Sequence, residues 1–119
     1  MKPHKNLIAW QKAMNLVVAI YEITKSFPKE ETYGLVSQLR RAAVSVPSNI
    51  AEGAADRSDE QFKNYLSIAI GSLNEINTQL EVAFRVGYLS EIQHNEIQKL
   101  VDECSAVTFG LKRSIGKVK

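Results

Sequence analysis

The feature that most constrains the fold is a run of apolar residues whose spacing alternates strictly between four and three positions. Its members are Phe62, Leu66, Ala69, Leu73, Ile76, Leu80 and Ala83. Residues spaced in this way share one face of an α-helix and form the seam by which helices pack in bundles. The run therefore predicts a long helix that needs partner helices to bury its apolar face.

Three further segments carry apolar residues at helical spacing, and capping or breaking residues mark their ends. The chain is predicted to form four helices, over Leu7–Lys25, Glu31–Glu52, Ser58–Gly87 and Ser90–Ile115. Ser58 and Ser90 each begin a Ser-x-x-Gln capping box, and Phe27-Pro28 breaks the first helix. No alternating run rich in Val, Ile and Thr competes with this interpretation.

The predicted connections between these helices are short, so consecutive helices are expected to run antiparallel. The 119 residues are also within the size of one domain. We therefore predict an all-α protein whose single domain, residues 1–119, is an up-down-up-down antiparallel four-helix bundle. The wide apolar face of the first helix indicates burial against more than one neighbour, which favours assembly of several copies.

Pro47 lies inside the second helix, where it removes a backbone N–H and crowds the carbonyl of Ala43. It predicts a kink, and Gly53 is expected to end the helix as a left-handed cap. The polar residues around the proline, Ser45, Ser48 and Asn49, are expected to satisfy locally the carbonyl groups that the proline frees, with a ligand pocket as the alternative. In the third helix, Gly71 suggests the close approach of a neighbour.

The predicted topology gathers charge of one sign at one end of the bundle. The start of helix 1, the end of helix 2, the start of helix 3 and the end of helix 4 meet there. Eight cations fall at this end: Lys2, Lys5, Arg57, Lys63, Lys112, Arg113, Lys117 and Lys119. Four carboxylates, of Glu52, Asp56, Asp59 and Glu60, leave a net charge of +4, whereas the opposite end is predicted to carry −2.

Two interpretations of this basic end stay open. It could bind nucleic-acid phosphates, with the eight cations as the candidate nucleic-acid-binding residues. Alternatively, the lysines only keep the protein soluble, and those near the end of helix 4 favour the helix dipole. A ring of several copies would add their basic ends to one face.

Candidate catalytic groups are few, and no catalytic residue, metal site or cofactor is predicted. Glu91 and His94 form a Glu-x-x-His pair, but a di-iron bundle needs two such pairs and two further glutamates. Cys104 falls in the apolar stripe of helix 4 without a basic residue at helical spacing, which predicts a buried thiol rather than a nucleophile. The sequence therefore favours a protein that is not an enzyme.

Arg40 and Arg41 are adjacent, so they point about 100° apart on a helix and cannot form one clamp. One is expected to pair with a carboxylate such as that of Glu75 or Glu81 and the other to lie at a surface or interface, with phosphate contact as the alternative. The formal net charge of the whole chain is only +2, and one cysteine excludes an internal disulfide. With no signal-peptide pattern and no membrane-spanning apolar run, a cytoplasmic location is expected.

Several motifs together resemble those of a known bacterial family. They are Trp10-Gln11-Lys12-Ala13, Phe27 to Leu35, Gln38 to Gly53, Phe62, Ala69 to Glu75 and Gly87-Tyr88-Leu89. Across nearly the whole chain this pattern resembles the four-helix bundle family of 23S rRNA intervening-sequence proteins, once labelled ribosomal. The related accessory protein of diversity-generating retroelements is a further member of this group.

The resemblance implies a cytoplasmic, ring-shaped homo-oligomer, a pentamer, and brings no catalytic residues. The retroelement relative partners a reverse transcriptase and binds nucleic acid. The predicted function is therefore a non-enzymatic homopentamer that binds RNA or other nucleic acid through its basic face with low sequence specificity. The alternative is a protein-interaction scaffold that docks a partner such as a reverse transcriptase without reading nucleic acid.

Overall fold

The computed structural model describes residues 3–55 and 57–117 of the chain. Four α-helices make up most of this part: α1 Ile8–Thr24, α2 Leu35–Ala54, α3 Asp59–Arg85 and α4 Glu91–Ser114. Short 3-10 helices, Pro3–Asn6 and Lys29–Glu31, precede α1 and α2. The described ranges contain no β-strand, so the predicted all-α class is confirmed.

The helices pack in the order α1, α2, α3, α4 around a square, each beside two neighbours. Side-chain contacts show that α2 and α3 run in opposite directions. The Ser45 and Ser72 hydroxyls lie 2.8 Å apart near mid-helix, whereas Gly53 near the end of α2 faces Phe62 near the start of α3. The other neighbouring pairs reverse in the same way, through the contacts Thr24 to Arg40, Lys12 to Glu103, and Phe84 to His94. The predicted antiparallel four-helix bundle is therefore confirmed.

The predicted seam of α3 lies at the centre of the bundle. Six of its seven members are buried, and Phe62 is half-buried at the end of the run. Burying a Leu or Ile side chain of this kind stabilises a fold by about 1.5–3 kcal/mol. The seam therefore supplies a large share of the core, to which α1 contributes Ala9, Ala13, Leu16 and Ile20.

Both predicted capping boxes are present. The Ser58 hydroxyl accepts from the Gln61 N–H at the start of α3, and the Ser90 hydroxyl accepts from the Gln93 N–H at the start of α4. In each box the glutamine side chain accepts from the backbone N–H of the serine. Gly87 follows α3 at a φ of 90°, in the left-handed region that favours glycine. These local signals fix where α3 and α4 begin and where α3 ends.

The start of α2 lies four residues later than predicted, at Leu35. The chain forms a 3-10 turn over Lys29–Glu31 and bends at Gly34 before the helix begins. The Glu31 carboxylate accepts from the Leu35 N–H at 3.1 Å, so a residue of the preceding turn caps the electropositive start of the helix.

Two glycine predictions are wrong. Gly53 lies inside α2, not in a left-handed cap, and a Cβ there would come within 2.8 Å of the Phe62 ring and 2.9 Å of the Tyr65 Cβ. Gly71 has no neighbour within 4 Å of such a position, so it permits no close approach. The close approach of α2 to α3 is therefore at Gly53. The α2 helix continues through Pro47, and the kink there stays a prediction.

Within the described ranges, no helix combines the length and the apolar content needed to cross a membrane.

Candidate nucleic-acid interface

An open depression of about 670 Å³ lies where the end of α4 meets the start of α3. Its seven lining residues are Lys63, Phe109, Lys112, Arg113, Ile115, Gly116 and Lys117. We name it the basic depression, because four of the seven are lysine or arginine. The structure therefore brings four of the eight predicted candidates together around one cavity.

The last turn of α4 positions two of these cations, and a tight turn positions a third. Lys112 and Arg113 lie on the final helical turn, and Ile115 is buried directly after it. Gly116 has a φ of 79°, which only glycine adopts readily, and the Lys117 N–H donates to the Ser114 carbonyl. The turn folds the chain back toward α3, so Lys117 faces the same cavity as the helix residues.

The start of α3 supplies the fourth cation. The capping box at Ser58 fixes the first turn, and Lys63 follows in the second, half-buried. The Lys63 Nζ lies 3.8 Å and the Asp59 Oδ2 lies 3.5 Å from the position that a Cβ on Gly116 would take. The turn at Gly116 thus packs against the first turns of α3, with one carboxylate at the rim of the depression.

The charge of the basic depression is not neutralised by ion pairs within the described ranges. The salt bridges found there join other residues, and none includes Lys63, Lys112, Arg113 or Lys117. Unpaired cations around a concave surface attract anions, and phosphate is the anion that a nucleic acid presents. The geometry suits several phosphate contacts at once.

Two of the remaining four candidates, Arg57 and Lys5, lie elsewhere in the described ranges. Arg57 forms an ion pair with Glu52 and places its guanidinium 5.4 Å from the centre of the Tyr65 ring. Lys5 is exposed on the first 3-10 helix, where its carbonyl accepts from Gln11. Neither lines the basic depression. The other two candidates, Lys2 and Lys119, fall outside the described residues.

Phe109 is a lining residue that the sequence interpretation missed. Its side chain is 44% exposed, although most large apolar residues of α4 are buried or half-buried. Phe109, Lys112 and Arg113 follow the i, i+3, i+4 spacing that places side chains on one helix face. That spacing was visible in the sequence, but the exposure of the ring depends on α4 having no neighbour on this side.

Neither Arg40 nor Arg41 forms an ion pair with a carboxylate in the described ranges, so that prediction is wrong. The Arg40 Nε donates to the Thr24 hydroxyl at 3.0 Å, and the Arg40 guanidinium lies 4.5 Å from the centre of the Tyr21 ring. A terminal N–H donates to the Tyr21 carbonyl at 3.4 Å. Arg40 thus supplies a cation at the C-terminal end of α1, whose own last turn has none. The adjacent Arg41 is exposed.

The Glu-x-x-His pair does not form a site. His94 stacks on Phe84 with 4.5 Å between ring centres, and Glu91 is exposed. The carboxylate nearest to His94 is Glu81, 3.8 Å away, whose pKa is lowered mainly by its hydrogen bond from Arg85. No cluster of three or more potential metal ligands occurs in the described ranges.

Cys104 is buried as predicted, and burial raises the pKa of its thiol to about 11. A thiol with that pKa is almost entirely protonated near neutral pH, so it is a poor nucleophile.

Asn49 donates to the Ser45 carbonyl at 2.8 Å and to the Ser45 hydroxyl at 3.0 Å. The carbonyl that Pro47 deprives of its helical donor is that of Ala43, so the predicted satisfaction of the freed carbonyl stays a prediction.

These features define a class of protein: a small antiparallel four-helix bundle with one cationic end. The chain belongs to the family of 23S rRNA-intervening sequence proteins, whose model matches residues 5–110. The resemblance drawn from the sequence motifs is therefore confirmed over most of the chain.

A solved structure shares this fold. It is the 1.70 Å crystal structure of a protein with unknown function from the S23 ribosomal protein family of Bacteroides thetaiotaomicron VPI-5482. It is 24% identical in sequence with a TM-score of 0.83, and the match covers 90% of this chain and 100% of that chain. At this identity the likeness establishes the fold alone. A comparison with curated proteins gives no significant match.

Proposed function

We propose that this protein is a non-enzymatic homo-oligomer that binds RNA, or another nucleic acid, through its basic end. The observation that carries the proposal is the basic depression, where four cations surround one cavity without an ion-pair partner among the described residues. The name of the family, which refers to a ribosomal RNA sequence, supports RNA as the ligand and the cytoplasm as the location.

The proposed binding has low sequence specificity. Three of the four cations are lysines, and a lysine ammonium attracts phosphate as a point charge without reading the bases. Binding through phosphates of this kind weakens log-linearly with salt, and the slope counts the contacts. The proposal therefore predicts steep salt dependence and similar affinities for RNAs of unrelated sequence.

The test is fluorescence anisotropy with a labelled structured RNA at several salt concentrations. The variant Lys112→Glu/Arg113→Glu removes two of the four cations. We expect its affinity at low salt to fall about 10- to 100-fold and its salt slope to decrease by about two contacts. Helical content by circular dichroism should be unchanged, because both side chains are at least partly solvent-exposed.

The matched control is Lys29→Glu/Lys99→Glu. It changes the net charge by the same amount, but Lys29 and Lys99 are exposed residues that do not line the basic depression. The control should bind RNA much more tightly than the first variant does. Equal losses in both variants would show that only overall charge matters, and wild-type protein that binds no RNA at low salt would overturn the proposal.

The homo-oligomeric part of the proposal is supported by the outer face of α1 and α2. Trp10, Met14, Val17, Val44 and Pro47 line a shallow apolar groove between these helices. Next to it on α1, Val18 is 60% exposed, so this face leaves apolar surface uncovered. A second copy could bury that surface. The pentameric number is suggested by the family resemblance alone.

Light scattering at micromolar concentration tests the assembly. Wild type should have a mass several times 13.3 kDa, and Val18→Glu/Val44→Glu should shift it toward the monomer. The control is Ile92→Glu, which also changes an exposed aliphatic residue but lies outside the groove. A monomeric wild type would overturn the homo-oligomer.

The same apolar groove favours a second candidate function, a scaffold that docks a partner protein such as a reverse transcriptase. Hydrophobic patches on a monomer surface often mark protein interaction sites. If the protein is such a scaffold, it should bind no RNA at low salt, whether it is a monomer or an oligomer. Its partner protein should bind wild type but not Val18→Glu/Val44→Glu. The RNA titration therefore decides between the two candidates.

A further inference from the structure

Phe109 presents an aromatic ring to the basic depression. It is the one aromatic residue among those that line this cavity, and its side chain is 44% exposed. Two arginines in the described ranges lie over aromatic rings, but these rings belong to Tyr21 and Tyr65. No aromatic pair in the described part of the chain includes Phe109 either. The faces of the Phe109 ring are therefore not stacked by another described aromatic ring or cation.

The ring is placed one helical turn from two of the cations. Phe109, Lys112 and Arg113 occupy positions i, i+3 and i+4 of α4, so they project from one face at a spacing of about one 5.4 Å turn. Lys63 and Lys117 complete the wall from α3 and from the turn after α4. An aromatic platform is thus surrounded on several sides by groups that bind phosphate.

A nucleotide carries the same two chemistries, a flat base and an anionic phosphate joined by a sugar. Single-stranded nucleic-acid sites combine a cationic groove with aromatic side chains on which bases stack. A cavity of about 670 Å³ is within the range of about 300–1,000 Å³ that small-ligand clefts occupy. The dimensions therefore permit a nucleotide to enter.

We infer that the basic depression takes an unpaired nucleotide, with its base stacked on Phe109 and its phosphates held by Lys63, Lys112, Arg113 and Lys117. This inference rests on the proposed function and specifies its substrate class. Inside a duplex, each base is covered on both faces by its neighbours, so Phe109 has nothing on which to stack. Single strands, loops and bulges expose the face that the ring needs.

The test compares a labelled single-stranded RNA with a duplex of the same sequence, by anisotropy at fixed salt. Phe109→Leu keeps an apolar side chain but removes the ring. We expect it to weaken single-strand binding about tenfold, since stacking on one aromatic residue is worth about that much or more. Duplex binding and the salt slope should stay as in wild type, because the cations are unchanged.

A direct readout comes from placing an indole at the same position. The chain has one tryptophan, Trp10, so Trp10→Phe/Phe109→Trp reports on position 109 alone. Its fluorescence should be quenched by the single strand and not by the duplex, and its affinity should match that of Trp10→Phe. Circular dichroism of each variant verifies that the bundle is folded.

The outcomes separate this inference from the function on which it rests. If Lys112→Glu/Arg113→Glu loses binding while Phe109→Leu binds the single strand as wild type does, the basic face is correct and the stacking is wrong. If Phe109→Leu weakens both nucleic acids equally, the preference for unpaired nucleotides is overturned. If Lys112→Glu/Arg113→Glu binds the single strand and the duplex as tightly as wild type does, both proposals are wrong.

Discussion

The two ends of the bundle are built from the same helices, but they differ in how their cations are paired with carboxylates. At the far end, Lys25 pairs with Glu22 at 2.9 Å and Arg85 with Glu81 at 2.8 Å. At the basic end, four cations line one depression, and no described carboxylate pairs with them. Exposed ion pairs add little stability, but each holds opposite charges side by side, so that their fields largely cancel for an outside ligand.

A second difference is how each end is closed. At the far end, the Tyr88 ring lies 5.4 Å from that of Phe27, and its hydroxyl donates to the Glu31 carboxylate at 2.8 Å. At the basic end, a glycine turn at Gly116 covers the start of α3 and leaves a cavity. The same antiparallel topology is therefore closed by aromatic packing at one end and leaves a cavity lined by cations at the other.

The largest expected effect on stability is at Gly53, where α2 comes close to α3 near the basic end. Gly53→Val should reduce the free energy of unfolding by about 1–3 kcal/mol, because its side chain would overlap Phe62 and Tyr65. Denaturation in guanidinium chloride measures this. The control Gly71→Ala has open space around it in an exposed part of α3, and should raise stability by up to about 1 kcal/mol. A Gly53→Val protein as stable as wild type would show that α2 and α3 can separate there without cost.

The two capping boxes allow a comparison of intermediate size, since one begins at each end of the bundle. Ser58→Ala and Ser90→Ala should each cost about 1 kcal/mol in unfolding free energy, because each removes the acceptor of one helical N–H. Only Ser58→Ala should also weaken RNA binding, since the first turn of α3 leads to Lys63. Equal RNA affinities in the two variants would contradict the prediction that the α3 cap helps to position Lys63 in the basic depression.

The smallest expected effect concerns pH at the far end. The backbone N–H of Leu35 and then the Tyr88 hydroxyl lower the pKa of Glu31. A depressed carboxyl pKa contributes stability above the unfolded-state pKa of about 4.3, and this contribution is lost as pH falls through the folded-state value. Tyr88→Phe should therefore be less stable than wild type at pH 7, with the difference shrinking at pH 3.

Urea titrations of wild type and Tyr88→Phe at the two pH values measure this difference, and an NMR titration of Glu31 measures the pKa directly. The Glu31 pKa should be higher in Tyr88→Phe than in wild type. A stability difference that is the same at pH 3 and pH 7 would contradict a role for the Glu31 carboxylate.

Much of the fold could be predicted because its signals are local. The seam of α3 and the two capping boxes depend on spacing within one segment, and each appears where the sequence indicated. Glycine was less informative, since Gly53 satisfies the same pattern whether it ends a helix or lets another helix approach. Which of the two roles Gly53 has depends on Phe62 and Tyr65, which lie in another helix of the sequence but close to Gly53 in the fold.

The candidate site was predictable only in part, for the same reason. Topology alone assigns Lys63, Lys112, Arg113 and Lys117 to one end, and they do line one cavity. It could not show that Arg57 pairs with Glu52, because that contact depends on how the loop before α3 folds. The partner of Arg40 depends in turn on which faces of α1 and α2 meet.

The hydroxyl contact between Ser45 and Ser72 has a mechanical consequence for the whole molecule. Ser72 is buried, and its hydroxyl lies 2.8 Å from that of Ser45, which Asn49 also contacts at 3.0 Å. Sliding α2 past α3 by one turn, about 5.4 Å, would leave a buried hydroxyl without a partner at a cost of about 1–3 kcal/mol. The contact therefore opposes axial slippage between α2 and α3 and favours the register in which Ser45 and Ser72 face each other.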